Sequence, residues 1–146
     1  MSTTPDTSDA IAELAAACKV LGEPRRLRIL RFLLEAPDTL CGCELSDILG
    51  VPDYQISRDL SALRGAGLVR DRGRSGTWVH YEPVPDAPQH LGRLLALVRE
   101  TPLAADDARR FELRYGLRAQ VGCVLGPGHP DVTAAFVAAG VEPPKA

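Results

Sequence analysis

Two cysteines separated by one glycine, Cys41-Gly42-Cys43, are the residues of this chain best placed to do chemistry of their own. Thiols two positions apart leave a regular helix on different sides. At a helix entry, with glycine between them, the backbone can bend so that both sulfurs converge. A helix N-terminus also lowers the pKa of a nearby thiol and favours the thiolate, the form that binds metal. Soft thiolates suit As(III), Sb(III), Cd(II), Pb(II) or Cu(I) and disfavour hard cations. The competing reading of a bare C-x-C is a pair of buried, inert cysteines.

The elements around the pair decide where it sits. Ser8 or Asp9 can cap a first helix whose apolar stripe is Ile11, Leu14, Ala15, Cys18 and Leu21, which makes Cys18 a core or dimer-interface residue. A second helix starts near Glu23 with Pro24 in its first turn and buries Leu27, Leu30 and Leu34, with Ile29 and Leu33 on a neighbouring strip. Residues 43–49 read as a short helix that Gly50 stops, so the two cysteines fall at its entry. Val51-Pro52-Asp53 is a tight turn into a further helix over roughly residues 53–65, which buries Ile56, Leu60 and Leu63. Two short helices joined by a tight turn make a helix-turn-helix.

Two strand-like runs follow, Leu68–Arg72 and Thr77–Glu82, flanking the glycine-rich turn Gly73-Arg74-Ser75-Gly76. Helix-turn-helix followed directly by a hairpin is a winged helix. The expected fold class is therefore mainly α (α+β), a winged helix-turn-helix with a two-stranded wing. The expected division is a disordered N-terminus over 1–8, a winged-helix domain over 9–101 closed by a helix near 88–101, and a C-terminal extension over 102–146. Within the extension, residues 105–119 and 131–139 have helical character and 120–130 reads as loop.

The chain carries a net charge of −2, but five basic side chains oppose two acidic ones over residues 58–80. Arg58 and Arg64 lie on the second helix of the motif and Arg70, Arg72 and Arg74 on the wing. A recognition helix fits the major groove of B-DNA, and wing arginines reach phosphates or the adjacent minor groove. Gln55, Ser57 and Arg58 are the candidates for base-edge contacts, with the wing arginines supplying position and salt-dependent affinity. The alternative is a solvated face; Asp53 and Asp59 weigh towards it, since carboxylates repel phosphate. No apolar run is long enough for a bilayer and the first residues lack a signal pattern, so a cytoplasmic protein with reduced cysteines and no membrane partner is expected. No nucleophile–base pair and no phosphate-cradling loop accompany the cysteines, which argues against an enzyme.

The stretches LGEPRRLRILRFL, TLCGCELSDILGV and QISRDLSALRGAGLVRDRGRSGTWVHYEP resemble the ArsR/SmtB family of metal-sensing winged-helix repressors, and most closely its arsenic-responsive branch. The resemblance covers roughly residues 10–101. It implies a homodimer built through the first and the post-wing helices, binding to an inverted-repeat operator, and release when As(III) or Sb(III) occupies cysteine thiolates. By the same match Tyr54 and the polar residues up to Asp59 should face DNA. The family's third cysteine, three residues after the second, is Ser46 here. A third sulfur for Cys41 and Cys43 must then come from elsewhere, with Cys123 in a glycine-flanked stretch as candidate, or be replaced by an exogenous thiol or water. The helix after the wing lacks the zinc ligands of related sensors: the corresponding positions fall near Pro85, Ala87, Val98 and Thr101, and Asp86, His90 and Glu100 are nearby but mis-spaced. His80, after the wing strand, reads as structural, and His129, between Gly128 and Pro130, could help Cys123 although nothing compels it. A cadmium- or lead-type sensor and a thiol-redox-sensing repressor of the same fold remain the alternatives.

Overall fold

Residues 7–75, 78–121 and 128–144 are described by the computed structural model. The chain runs α1 (Thr7–Leu21), α2 (Pro24–Glu35), β1 (Leu40–Cys41), α3 (Gly42–Leu49), α4 (Asp53–Gly65), β2 (Val69–Ser75), β3 (Trp78–Pro83), α5 (Gln89–Glu100), α6 (Ala105–Val121) and α7 (Pro130–Ala138). α1 begins at Thr7, so the last two of the eight residues expected to be disordered are helical. Glu23 caps α2 by accepting from the Arg25 backbone N–H, with Pro24 in the first turn where a missing N–H costs nothing. Gly50 ends α3 at a φ of 68°, a left-handed conformation that glycine adopts without steric cost.

The core gathers Ile29, Leu30, Phe32 and Leu33 of α2, Leu45 and Ile48 of α3, Ile56, Leu60 and Leu63 of α4, and Leu91, Leu95 and Val98 of α5. The inward face of α2 is rotated from the expected one: Ile29 and Leu33 are buried, whereas Leu27 is 36% exposed. The face expected of α1 also changes. Ile11 is 77% exposed and Leu14, Ala15 and Cys18 are exposed too, leaving Ala17 and Leu21 to contact the core. Cys18 is therefore not a core residue of the protomer. Leu14 of α1 lines a surface groove with Leu94 and Leu97 of α5.

The sheet has three strands, not two, in the order β1-β3-β2, all antiparallel. Leu40 and Cys41 form the extra strand and pair with Tyr81 and His80 of β3. A two-residue strand carries no periodicity, so no pattern in the sequence announced it. The turn of the wing also falls later than expected. Gly73, Arg74 and Ser75 belong to β2, whose register shifts between Asp71 and Gly73; Arg72 is the extra residue of that bulge, and Gly73 beside it has a φ of 141°. Residues 76 and 77 lie outside the described residues.

α4 is tied to α2 by Asp59. Its buried carboxylate accepts from Arg25 Nε at 2.5 Å and Nη2 at 3.2 Å, and from Arg26 Nε at 3.3 Å. That corrects the expectation that Asp59 faces DNA: it sits on the inner side of α4 and balances two arginines there. Asp59→Ala leaves both guanidinium groups without their carboxylate, partly compensated by water because each arginine is about a third exposed. It is expected to lower unfolding stability by roughly 1–3 kcal/mol in urea denaturation. An unchanged midpoint would mean that the pair does not hold α4.

Candidate functional site

Cys41 and Cys43 are both fully buried, with their sulfurs 2.6 Å apart. The convergence comes from where each residue sits. Cys41 is extended, φ −94° and ψ 164°, because it closes β1 and caps α3; Cys43 is already in the first helical turn. Gly42 between them lies beside the start of α4: a Cβ there would stand 3.4 Å from Asp53 Oδ1 and 4.0 Å from Ile56 Cγ2, ordinary contact distances. The thiol pair thus lies against the recognition helix on one side and, through the pairing of Cys41 with His80, against the wing on the other. Thr39 Oγ1 and His80 Nδ1, 3.0 Å apart, reinforce that edge.

The electrostatics of the pair differ from the expectation of easily formed thiolates. The hydrogen bond with Cys43 pushes the Cys41 thiol far above its ordinary value, and burial and the Glu44 carboxylate add to the effect. The backbone N–H of Glu44 works the other way and is outweighed. The helix N-terminus is present, but the bond to Cys43, the dry site and the adjacent carboxylate together outweigh it.

Glu44 is fully buried. Its Oε1 accepts from the Cys41 backbone N–H at 3.0 Å, closing a capping box with the thiol. The same carboxylate takes Arg118 Nε on Oε2 at 3.0 Å and Arg118 Nη2 on Oε1, while Arg118 Nη2 also donates to the Thr39 carbonyl at 2.7 Å. One turn earlier on α6, Arg114 is fully buried and donates from Nε to Asp47 Oδ2 at 2.8 Å. Another turn earlier, Arg110 reaches the Ile48 and Asp47 carbonyls at 2.6 and 3.1 Å. Burial pushes the Asp47 carboxyl up, against the N–H of Gly128 and Arg114. The extension is therefore strapped along the whole of α3 by three arginines at four-residue spacing. Phe111 stacks between Phe32 and Tyr115, centroids 5.9 and 5.5 Å away, and anchors α6 to α2 as well.

Sequence reasoning missed this strap. Its signal was available: Arg110, Arg114 and Arg118 repeat every four residues, and Glu44 and Asp47 are three apart on α3, so each set shares one helix face. Ser46, where a third cysteine was looked for, is buried and donates to the Val51 carbonyl at 2.5 Å, bracing the turn into α4. Cys123 lies outside the described residues, and among the described ones no cluster of three His, Cys, Asp or Glu is placed to hold a metal ion. His129 caps α7 by accepting from the Asp131 N–H, and His90 faces Glu13 of α1 at 2.7 Å.

The outer side of α4 presents Tyr54, Ser57, Arg58 and Arg64, all exposed, with Gln55 half-buried. Tyr54 is 66% exposed. Arg64 pairs with Asp71 at 3.0 Å, Arg70 with Glu82 at 2.7 Å, and Arg72 with Asp38 at 3.4 Å. Arg58 and Arg74 make no ion pair among the described residues. Arg70 and Arg72 of the wing are thus paired with carboxylates on largely exposed ground, where such pairs contribute little and exchange readily.

Residues 23–71 match the family model described as "Bacterial regulatory protein, arsR family". Over 108 residues the chain is 34% identical to the arsenic resistance transcriptional regulator ArsR1 of Pseudomonas putida, covering 72% of this chain and 83% of that one. The chain belongs to the ArsR family. A second P. putida arsenic resistance regulator, ArsR2, is 34% identical over 109 residues, covering 72% of this chain and 93% of its own. Among solved structures, the homodimeric winged helix-turn-helix DNA-binding domain of a possible ArsR-family regulator from Mycobacterium bovis superimposes with a TM-score of 0.53. It is 27% identical and covers 68% of this chain and 86% of that one. This ArsR-family chain is accordingly a transcriptional regulator that binds DNA through its helix-turn-helix, not an enzyme. Among its described residues no helix is long and apolar enough to cross a membrane.

The burial pattern sets the order of thiol reactivity. Iodoacetamide at neutral pH, followed by peptide mapping, should alkylate exposed Cys18 at least tenfold faster than Cys41 or Cys43, which react at comparable rates only after unfolding. Equal rates in the native protein would contradict the dry, protonated site.

Proposed function

We propose that this regulator is an As(III)/Sb(III)-responsive repressor that binds an inverted-repeat operator as a homodimer and leaves it when metalloid joins Cys41 and Cys43. One observation carries the reading: two buried sulfurs converge at the entry of the helix that supports the recognition helix. A thiol held protonated, as that of Cys41 is, suits a trivalent hydroxide. Two As–S bonds form, two As–O bonds break, and the thiol protons depart with the hydroxyls as water, so no charge is left in the dry site. A divalent soft cation would instead require both protons to be expelled to solvent, against the forces that hold Cys41 protonated.

The donor set fits such a group after a small displacement. Sulfurs each about 2.3 Å from a common centre at a tetrahedral angle stand roughly 3.7 Å apart, so occupancy fixes the separation and direction of the two converging thiols. The first turn of α3 must adjust to that geometry, and it lies beside Asp53 and Ile56 of α4. The recognition helix and, through β1, the wing are displaced from their DNA-binding arrangement. Such coupling is typically about 1–3 kcal/mol and reciprocal, so DNA weakens metalloid binding by the same factor. Cys123 is the candidate for a third sulfur, with water or an exogenous thiol in its place otherwise.

On DNA, Tyr54, Gln55, Ser57 and Arg58 face base edges, and Arg64, Arg70, Arg72 and Arg74 the backbone. The homodimer is supported by the apolar strip of Ile11, Leu14 and Leu97 on α1 and α5 and by the homodimeric state of the M. bovis relative. Two recognition helices then address half-sites about 34 Å apart. The converging sulfurs also serve a second reading, a thiol-redox switch.

Fluorescence anisotropy of the reduced protein on its own promoter fragment separates these readings. Stoichiometric arsenite should release the DNA, and Cys41→Ser or Cys43→Ser should abolish the release while DNA affinity is kept. Release by Cd(II) alone would move the protein to a heavy-metal class, and release by oxidant reversed by reductant without chelator would establish the redox switch. Tight binding that no agent relieves would end the sensing reading.

A further inference from the structure

Among the described residues Arg114 is the arginine that is fully buried, and its outer nitrogens are left over. Nε is satisfied by Asp47, but Nη1 and Nη2 have no hydrogen-bond partner among the described residues. Nη1 stands 3.9 Å from Glu44 Oε2, close enough to attract and too far to bond. A buried guanidinium with two idle donors is costly. Glu44 meanwhile is fully engaged elsewhere, on the Cys41 N–H and on Arg118. One buried carboxylate therefore faces two arginines one helical turn apart, bonded to the first and within easy reach of the second.

We propose that Glu44 is the relay between the thiol site and the C-terminal extension. It rests on Cys41 N–H and Arg118 in the DNA-binding state and passes to Arg114 when Cys41 and Cys43 are occupied. The inference builds on the reading of that pair as the inducer site. Metalloid joined to both sulfurs shifts the first turn of α3, of which the Cys41–Glu44 capping box is part. Breaking the Cys41 N–H bond frees Glu44 Oε1 on the side of Arg118, and the idle nitrogens of Arg114 receive the carboxylate. Arg118 is then left with the Thr39 carbonyl and the Tyr115 ring, over which its guanidinium already lies at 4.8 Å. The result is a two-position element with a defined partner in each position, as a switch requires. Arg114 and Arg118 are positioning residues: both act on inducer binding through Glu44.

The two arginines should therefore have opposite effects. Removing Arg118 weakens the resting position and makes occupancy easier; removing the idle donors of Arg114 weakens the receiving position and makes it harder. Sodium arsenite is titrated into the reduced, DNA-free full chain by isothermal titration calorimetry, with thermal melts as a fold control. Arg118→Ala is expected to tighten arsenite binding by about fivefold or more, and Arg114→Gln to weaken it by a similar factor. A merely structural role would move both in one direction, in step with the melting temperature, and would overturn the relay. If Arg114→Gln does not fold, Arg118→Ala alone decides, since unchanged or weaker binding in that variant contradicts the proposal. Wild-type protein that binds no arsenite overturns the inducer site and the relay with it, whereas wild-type binding with both variants unaltered overturns the relay alone.

Discussion

A carboxylate with no access to water sits at the entry of the first helix of the helix-turn-helix, and the rest of the molecule is arranged to satisfy it. Glu44 is fully buried, and burying an ionised carboxylate is tolerable only with paired charge and several hydrogen bonds. Those come from the Cys41 backbone on one side and from Arg118 of α6 on the other. Meeting that demand fixes three things together: the bend that brings Cys41 and Cys43 into contact, the docking of the C-terminal extension on α3, and the β1–β3 pairing that ties the same residues to the wing. The thiol pair is built by the helix cap and is not an addition to it.

That arrangement explains how a small ligand could act on DNA affinity without touching DNA. The outer face of α4 is held from behind by Asp59 with Arg25 and Arg26 and from the preceding turn by Ser46 on the Val51 carbonyl, and Gly42 of α3 lies beside its first turn. Two of these three contacts come from α3. A change of geometry at the sulfurs is therefore delivered to the recognition helix through close packing, which does not absorb strain gradually. The Cys41–His80 pairing delivers it to the wing as well.

Much of this was legible in the sequence where residues repeat with a period or punctuate a turn. The order of helices, the helix-turn-helix, the hairpin and the exposed positions of α4 follow from apolar spacing and from Gly50 and Pro24. The placement of Cys41 and Cys43 at a helix entry follows from CELSDIL beginning one residue beyond the glycine. What was not legible depends on partners distant in sequence. β1 is too short for a pattern. Asp59 reads as a surface acid until Arg25 and Arg26 are seen behind it. The ionisation of Cys41 was read from the helix terminus alone, because its burial and the inward turn of Glu44 appear only once α6 is docked. Ile11, Leu14 and Cys18 have helical spacing appropriate to a core, yet all three are exposed in the single protomer.

X-ray absorption at the arsenic edge, on the reduced protein loaded with one equivalent of arsenite, tests the central claim most directly. The account predicts sulfur neighbours in the first shell, at least two per arsenic, and their loss to oxygen in the Cys41→Ser, Cys43→Ser double variant. A shell of oxygen alone in the wild type, or a sulfur shell that survives that double substitution, would place the sensing chemistry elsewhere and contradict the account.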